Sequence, residues 1–420
     1  MLTAVVGLNW GDEGKGKVVD RLAAGADLVV RFQGGNNAGH TIVTDQGTFK
    51  LHLVPSGVFQ PQTTNLLGPG CVVNLEAFAG ELDELERAGV DTSRVLVSER
   101  AAVVFDFHRW FDIAEEERLG ARQYGSTRRG IAPAYGDRAM KKTLLVGELF
   151  DDKHLAERLE LIAGWADLRA RTLYDGPGVL VDEVHEWIRE FREPLRGRVV
   201  DTGRLLREAA REDRQVLFEA QLGAMRDLIY GIYPYTTSSN CLAAYASLGG
   251  GAPELQLDQV VGVVKAYASC VGAGPFVTEF GPEVADPLRE RWGEFGAATG
   301  RPRRLGHFDA FATRYGATIQ GATALALTNL DQLSGTGPLQ VCVGYRIDGR
   351  DLDTFPVGDL HRVEPVYEQA GGWDDDLTGI RRYEDLPAPA RGYVEAVEHH
   401  VGVPVDLVSV GPHRDQTVVR

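Results

Sequence analysis

Gly7-Leu8-Asn9-Trp10-Gly11-Asp12-Glu13-Gly14-Lys15-Gly16-Lys17 follows an apolar, strand-like run from Leu2 to Leu8 and opens a helix-like one from Lys15 to Ala24. A glycine-rich turn from strand into helix aims several backbone N–H groups at one point, and the helix N-terminus adds partial positive charge. Such a turn suits phosphate, and Lys15 and Lys17 add fixed cations. A Walker A loop cannot be laid over it, because Val18 stands where the magnesium-binding hydroxyl should be. A carboxylate, Asp12, sits inside the loop instead. Negative charge among phosphate-binding amides makes sense if a cation shares the site or the carboxylate does chemistry.

A second run, Arg31-Phe32-Gln33-Gly34-Gly35-Asn36-Asn37-Ala38-Gly39-His40-Thr41, has the same character. Gly34, Gly35 and Gly39 permit close backbone approach, Asn36 and Asn37 offer amides, and His40 can exchange a proton near neutral pH. Either run alone reads as an ordinary turn after a strand. Two such turns within one βαβ-length unit, carrying an Asp and a His, point to a catalytic phosphate site.

The net charge of −16 excludes a general nucleic-acid or membrane surface, because no basic excess exists to release counterions. Any polyanion must bind in a local pocket. Cys71, Cys241, Cys270 and Cys342 lie far apart without CxxC spacing, as expected of reduced thiols rather than disulfides or a zinc site. With no signal-like N-terminus and no apolar run of ~18 residues, a cytoplasmic protein is expected.

Outward from the two runs, the pattern alternates strand, loop and helix. Strands are expected at 27–32, 64–67, 95–98, 216–219, 260–267, 325–331, 340–346 and 405–408, with a hairpin at 41–43 and 48–53. Helices are expected at 75–88, ending at Gly89, and at 110–119, and a helical scaffold fills 151–213. Gly125 to Tyr135, with Ser126, Thr127, Arg128 and Arg129, has phosphate-clamp composition. Every chemically suggestive loop follows a strand. The fold class is therefore α/β, a large, mostly parallel central sheet flanked by helices, with its site at the strand carboxyl ends. Residues 1–420 are expected to form one domain.

WGDEGKGK from Trp10, RFQGGNNAGHT from Arg31, GPFVTEFG from Gly274, GEFGAATGRPRR from Gly293 and Ser409-Val410-Gly411-Pro412, in this order, resemble the adenylosuccinate synthetase family over essentially the whole chain. The resemblance implies GTP-dependent ligation of L-aspartate to the 6-position of IMP through a 6-phosphoryl intermediate, in a Mg²⁺-dependent homodimer. It assigns Asp12 as base and magnesium ligand, with the Gly39 carbonyl on the same ion, His40 as acid or hydrogen-bond donor, and Lys15 on the transferred phosphate. It places GTP on Gly11, Asp12, Glu13, Gly14, Lys15, Gly16, Lys17, Gly39, His40, Thr41, Arg303, Asn329, Leu330, Asp331, Ser409, Val410 and Gly411. IMP falls to Asn37, Ala38, Thr127, Lys141, Gln221, Leu222, Thr237, Val271 and Arg301. The aspartate carboxylates fall to Ala297, Ala298, Thr299, Gly300, Arg301 and Arg303, where planar guanidinium forks suit carboxylate.

Several positions depart from the family pattern. Asn329 stands for the lysine of the guanine motif Thr-Lys-Leu-Asp, and Leu222 for the glutamine that contacts the 6-oxo edge of the substrate base. Lys141 stands for an arginine that reaches a phosphate across the dimer interface, Arg128 for a glycine, Pro302 for an arginine and Asn36 for a histidine. Asp12, Lys15, His40 and Arg301 are intact. Two other readings follow: the same ligation on a purine-analogue nucleotide, motivated by Leu222, Lys141 and Asn329, and GTP binding without catalysis, which the Asp12/His40 pair opposes.

Overall fold

The computed structural model describes residues 1–45, 47–296 and 300–420. Ala297, Ala298 and Thr299, expected at the aspartate site, lie outside the described residues. Ten strands build the central sheet: β1 (Leu2–Gly7), β2 (Leu28–Arg31), β3 (Thr64–Leu67), β4 (Val95–Ser98), β5 (Val199–Val200), β6 (Val216–Glu219), β7 (Gln259–Lys265), β8 (Ala324–Thr328), β9 (Val405–Ser409) and β10 (Thr417–Val419). Their spatial order is β10-β9-β8-β7-β1-β6-β2-β3-β4-β5, and every neighbouring pair is parallel except β9 with β10. From β1 the chain runs first toward β5 and later, through β7, toward β10. The site therefore opens where the strand order reverses, beside the carboxyl end of β1.

Alternation of side chains fills both faces of this sheet. Ala4 and Val6 of β1 join one core with Phe218 and Leu325, while Val5 packs with Val29, Leu217, Val263 and Ala326 against α1 (Lys15–Ala23) through Val18, Val19 and Ala23. Strands buried on both faces read as continuous apolar runs, which is why β6 and β7 were visible in the sequence.

Several elements differ from expectation, and the strand expected at 325–331 ends at Thr328, where Asn329 turns left-handed (φ 58°) into the 3-10 turn Leu330–Leu333. The helix expected at 110–119 starts at Asp106, because His108 Nδ1 takes the Phe105 amide and caps the added turn. The strand expected to run to Tyr267 stops at Lys265, since Lys265 and Tyr267 both turn to the buried Glu294. Helices Ala310–Gln320 and Ala388–Val401 carry no strong pattern in the sequence, although Asp309 caps the first by accepting from the Ala312 amide. Among the described residues no helix is long and apolar enough to cross a membrane.

Candidate active site

The first turn after β1 satisfies its own polar groups. Glu13 folds back so that Oε1 accepts from the amides of Asn9 (3.2 Å) and Gly11 (2.8 Å), while Oε2 accepts from Lys15 Nζ at 2.6 Å. Glu13 and Lys15 are 2% and 3% exposed, so the pair is a buried strut beneath the loop. Lys17 is likewise held: its Nζ donates to Ser409 Oγ (2.7 Å) and to the carbonyls of Gly411 and Gln416, tying α1 to the loop after β9. Burial lowers the Lys17 ammonium to about 8, partly offset by Asp331. Asp12 takes a left-handed conformation, φ 61°, at the crest of the turn. Its Oδ2 accepts from Arg303 Nε at 2.9 Å.

His40 opens the hairpin strand His40–Thr44 and lies against the N-terminus of α1. Only glycine fits opposite it, because a Cβ on Gly16 would stand 2.8 Å from the His40 Cβ. Nδ1 of His40 pairs with Glu219 Oε1 at the end of β6, and Ser56 donates to the same carboxylate through Oγ (2.6 Å) and its amide (2.8 Å). Burial lowers the imidazole pKa against the opposing pull of Glu219. With Nδ1–H directed at the carboxylate, Nε2 is the nitrogen left for the cavity.

Two cavities open here. The first, about 220 Å³, is lined by Gly14 to Lys17, Gly39, His40, Thr41, Lys265, Glu294, Arg303, Asn329, Asp331, Ser409 and Gly411. The second, about 950 Å³, is lined by Gly11, Asn37, Thr127, Thr237, Val271 and Arg301, with Trp10, Arg226 and Tyr235. Asp12, Ala38, Gly39 and Leu222 belong to both walls. The cavities therefore meet at Asp12.

The structure leaves other expected residues outside these walls. The Glu13 side chain is internal, and Leu330 and Val410 are fully buried. Lys141, left-handed at φ 62°, is exposed in the turn after the helix Ile131–Ala139, one residue past Met140, which lines the second cavity. Gly300 is exposed. Gln221 turns beneath the second glycine run, donating from Nε2 to the Gly35 carbonyl at 2.9 Å, so Leu222 rather than Gln221 faces the cavities. The loop at Gly125 spends its amides internally. Tyr124, Gly125 and Ser126 donate to Glu116, Gly130 donates to Asp112, and the Gly125 carbonyl accepts both Arg301 Nη groups at 3.0 Å.

Sequence reading missed Glu219, Glu294 and Lys265. Lys265 and Glu294 pair at 2.7 Å, and Arg303 Nη1 donates to the other Glu294 oxygen at 2.6 Å. The available signal was a charged residue closing an otherwise apolar strand, as in Val216-Leu217-Phe218-Glu219 and Val263-Val264-Lys265.

The sequence model of the family described as adenylosuccinate synthetase matches residues 4–418. The chain belongs to the adenylosuccinate synthetase family. It is a ligase of the class that forms carbon–nitrogen bonds. It is 47% identical over 418 residues to adenylosuccinate synthetase 2 of Pseudoalteromonas translucida, covering 99% of each chain. Identity to the adenylosuccinate synthetase of Halothermothrix orenii is 44% over 418 residues, covering 99% of this chain and 98% of the relative. Its fold superposes on the fully ligated adenylosuccinate synthetase of Plasmodium falciparum with a TM-score of 0.93 at 34% identity, covering 100% and 99% of the two chains.

Among the described residues no three His, Cys, Asp or Glu side chains group into a metal cage. Three carboxylates line the first cavity: Glu294 is taken up by Lys265 and Arg303, Asp331 lies with Asn329 and Ser409, and Asp12 lies beside the Gly39 backbone. Two oxygen donors suit Mg²⁺, which keeps waters and takes substrate phosphate as its remaining ligands.

Proposed function

We propose that the two cavities divide the substrates of a GTP-dependent IMP–aspartate ligase, with the triphosphate in the first and IMP and L-aspartate in the second. The observation that carries this division is that one carboxylate, Asp12, lies on the wall both cavities share. The 6-oxo group of a purine is a poor leaving group, so the γ-phosphoryl group passes first to that oxygen and GDP departs. The aspartate amine then forms the C6–N bond as phosphate leaves. Asp12 takes the N1 proton that would otherwise keep the oxygen a carbonyl. His40, held by Glu219, directs Nε2 at the phosphoryl group, and the amides of Gly14 to Lys17 face its developing charge. Mg²⁺, held by Asp12 and the Gly39 carbonyl, would supply charge neutralisation for the phosphates.

Asp331, Asn329, Ser409 and Gly411 form the base end of the GTP cavity, where Asp331 can accept from a purine N1–H and 2-amino group. Thr127 and Thr237 offer hydroxyls to the IMP phosphate. Arg301 clamps an aspartate carboxylate, and Arg303, bonded to Asp12, links that clamp to the catalytic carboxylate. In a homodimer, the outward Lys141 of one copy is free to reach a phosphate in the other. A cytoplasmic location and a single domain complete this reading. Family membership does not favour an analogue substrate or binding without catalysis.

Adenylosuccinate formation from IMP, GTP, Mg²⁺ and aspartate, followed by absorbance, tests the whole reading, and absence of product would refute it. In the same assay Arg301→Lys is expected to raise the KM for aspartate by ~10-fold or more with kcat changed much less, since a point charge loses the bidentate fork. An unchanged KM would remove Arg301 from the clamp.

A further inference from the structure

We infer that Leu222 decides which nucleophile meets the activated base: its side chain closes the seam between the two cavities against water, so that aspartate's amine and not water discharges the phosphorylated intermediate. This rests on the substrate division proposed above.

Four residues belong to both cavity walls, Asp12, Ala38, Gly39 and Leu222, and Leu222 is the only large apolar side chain among them. It therefore lies beside the proposed base at the point where the γ-phosphoryl group must cross. Its backbone is left-handed, φ 57°, a conformation that crowds the Cβ of a bulky residue and that glycine adopts freely. The surroundings impose that conformation. Gln33 Nε2 donates to the Gln221 carbonyl at 2.8 Å, Ser239 fixes Gln33 at 2.9 Å, and Gln221 is tied to Gly35. The phosphate loop also rests on this residue, for a Cβ on Gly11 would lie 3.3 Å from the Leu222 Cα. A leucine where the backbone favours glycine needs a role for its side chain, and an apolar group cannot bind a base edge by hydrogen bonding. What it can do is exclude water from a reactive intermediate.

Two fates of that intermediate have different atom balances. In ligation the amine bonds to C6, the C6–O bond breaks, and phosphate leaves carrying the oxygen that was O6 of IMP. In hydrolysis water bonds to phosphorus and the P–O6 bond breaks, or water bonds to C6, the C6–O6 bond breaks and the solvent oxygen becomes O6. O6 then returns to the carbonyl with N1 reprotonated, giving IMP and phosphate at the net expense of GTP and water. Solvent oxygen therefore enters phosphate or O6 of IMP only in the second case.

The test compares phosphate with adenylosuccinate in ¹⁸O-labelled water for the wild type, Leu222→Ser, Leu222→Gly and Leu222→Met. The wild type should give one phosphate per adenylosuccinate with no solvent label. Leu222→Ser and Leu222→Gly should release several-fold more phosphate than product, with the excess dependent on IMP and matched by ¹⁸O in phosphate or at O6 of IMP. The glycine variant relieves the left-handed backbone and so preserves the fold. Leu222→Met, of similar volume and equally apolar, should keep the ratio near one. A one-to-one, unlabelled yield from Leu222→Gly while adenylosuccinate still forms would overturn the seal. Failure of the wild type to make adenylosuccinate would instead overturn the underlying reading, before any substitution is compared.

Discussion

Asp12→Asn should lower kcat for adenylosuccinate formation by ~10³-fold or more while leaving binding of IMP nearly unchanged. The amide has the shape of the carboxylate but cannot take a proton from N1, and it is a poorer ligand for a hard cation. The same substitution weakens the contact with Arg303 Nε, now 2.9 Å from Oδ2, since a neutral oxygen replaces a charged one. General-base catalysis alone is worth ~10²–10⁴-fold, so the two losses together place the expected effect at the upper end. Kinetics with saturating GTP and aspartate, combined with calorimetric titration of IMP, separate the terms. A loss of kcat under ~10-fold would deny Asp12 the role of base. A parallel loss of IMP affinity would show that the substitution disturbs the cavity instead.

What was legible in the sequence follows from where the chemistry sits. Parallel strands buried on both faces write themselves as apolar runs, so β1, β2, β6 and β8 could be placed, and the loops after them followed. Asp12 and His40 stood out because glycine surrounded them. Partnerships were not legible, because they join residues far apart in the chain: His40 to Glu219, Asp12 to Arg303, Lys17 to Ser409. Nor does spacing show which way a side chain turns. Gln221 and Leu222 are neighbours, yet a left-handed backbone at Leu222 sends one under the Gly34 turn and the other to the cavity wall. The same limit hid the pairing of Lys15, read as a fixed cation for phosphate, with the buried Glu13.

Glu294→Gln is expected to destabilise the fold by about 3–5 kcal/mol, a loss set by the cations it leaves behind. Glu294 is 2% exposed and accepts from Lys265 Nζ (2.7 Å), Tyr267 Oη (2.5 Å) and Arg303 Nη1 (2.6 Å). Glutamine fills the same volume and still offers one oxygen, so the change removes charge without opening a cavity. Lys265, 5% exposed, then loses the carboxylate its ammonium is bonded to. Burial already lowers the Lys265 pKa, and losing Glu294 leaves only the weaker pull of Asp12 to oppose it. Chemical denaturation at neutral pH measures the difference, and a value below about 1 kcal/mol would contradict a buried, charged triad. Adding Lys265→Met should recover part of the loss, because the orphaned ammonium is then gone. The pH dependence has a definite sign. Burial would raise the Glu294 carboxyl, but Lys265 and Arg303 outweigh it and lower its pKa from 4.5 to about 2. Its contribution to stability is therefore full above pH 4.5 and lost as pH falls toward 2, so wild type and Glu294→Gln should converge across that interval. Because Arg303 also holds Asp12, the variant should lose activity at neutral pH even where it remains folded, and Lys265→Met should not restore it.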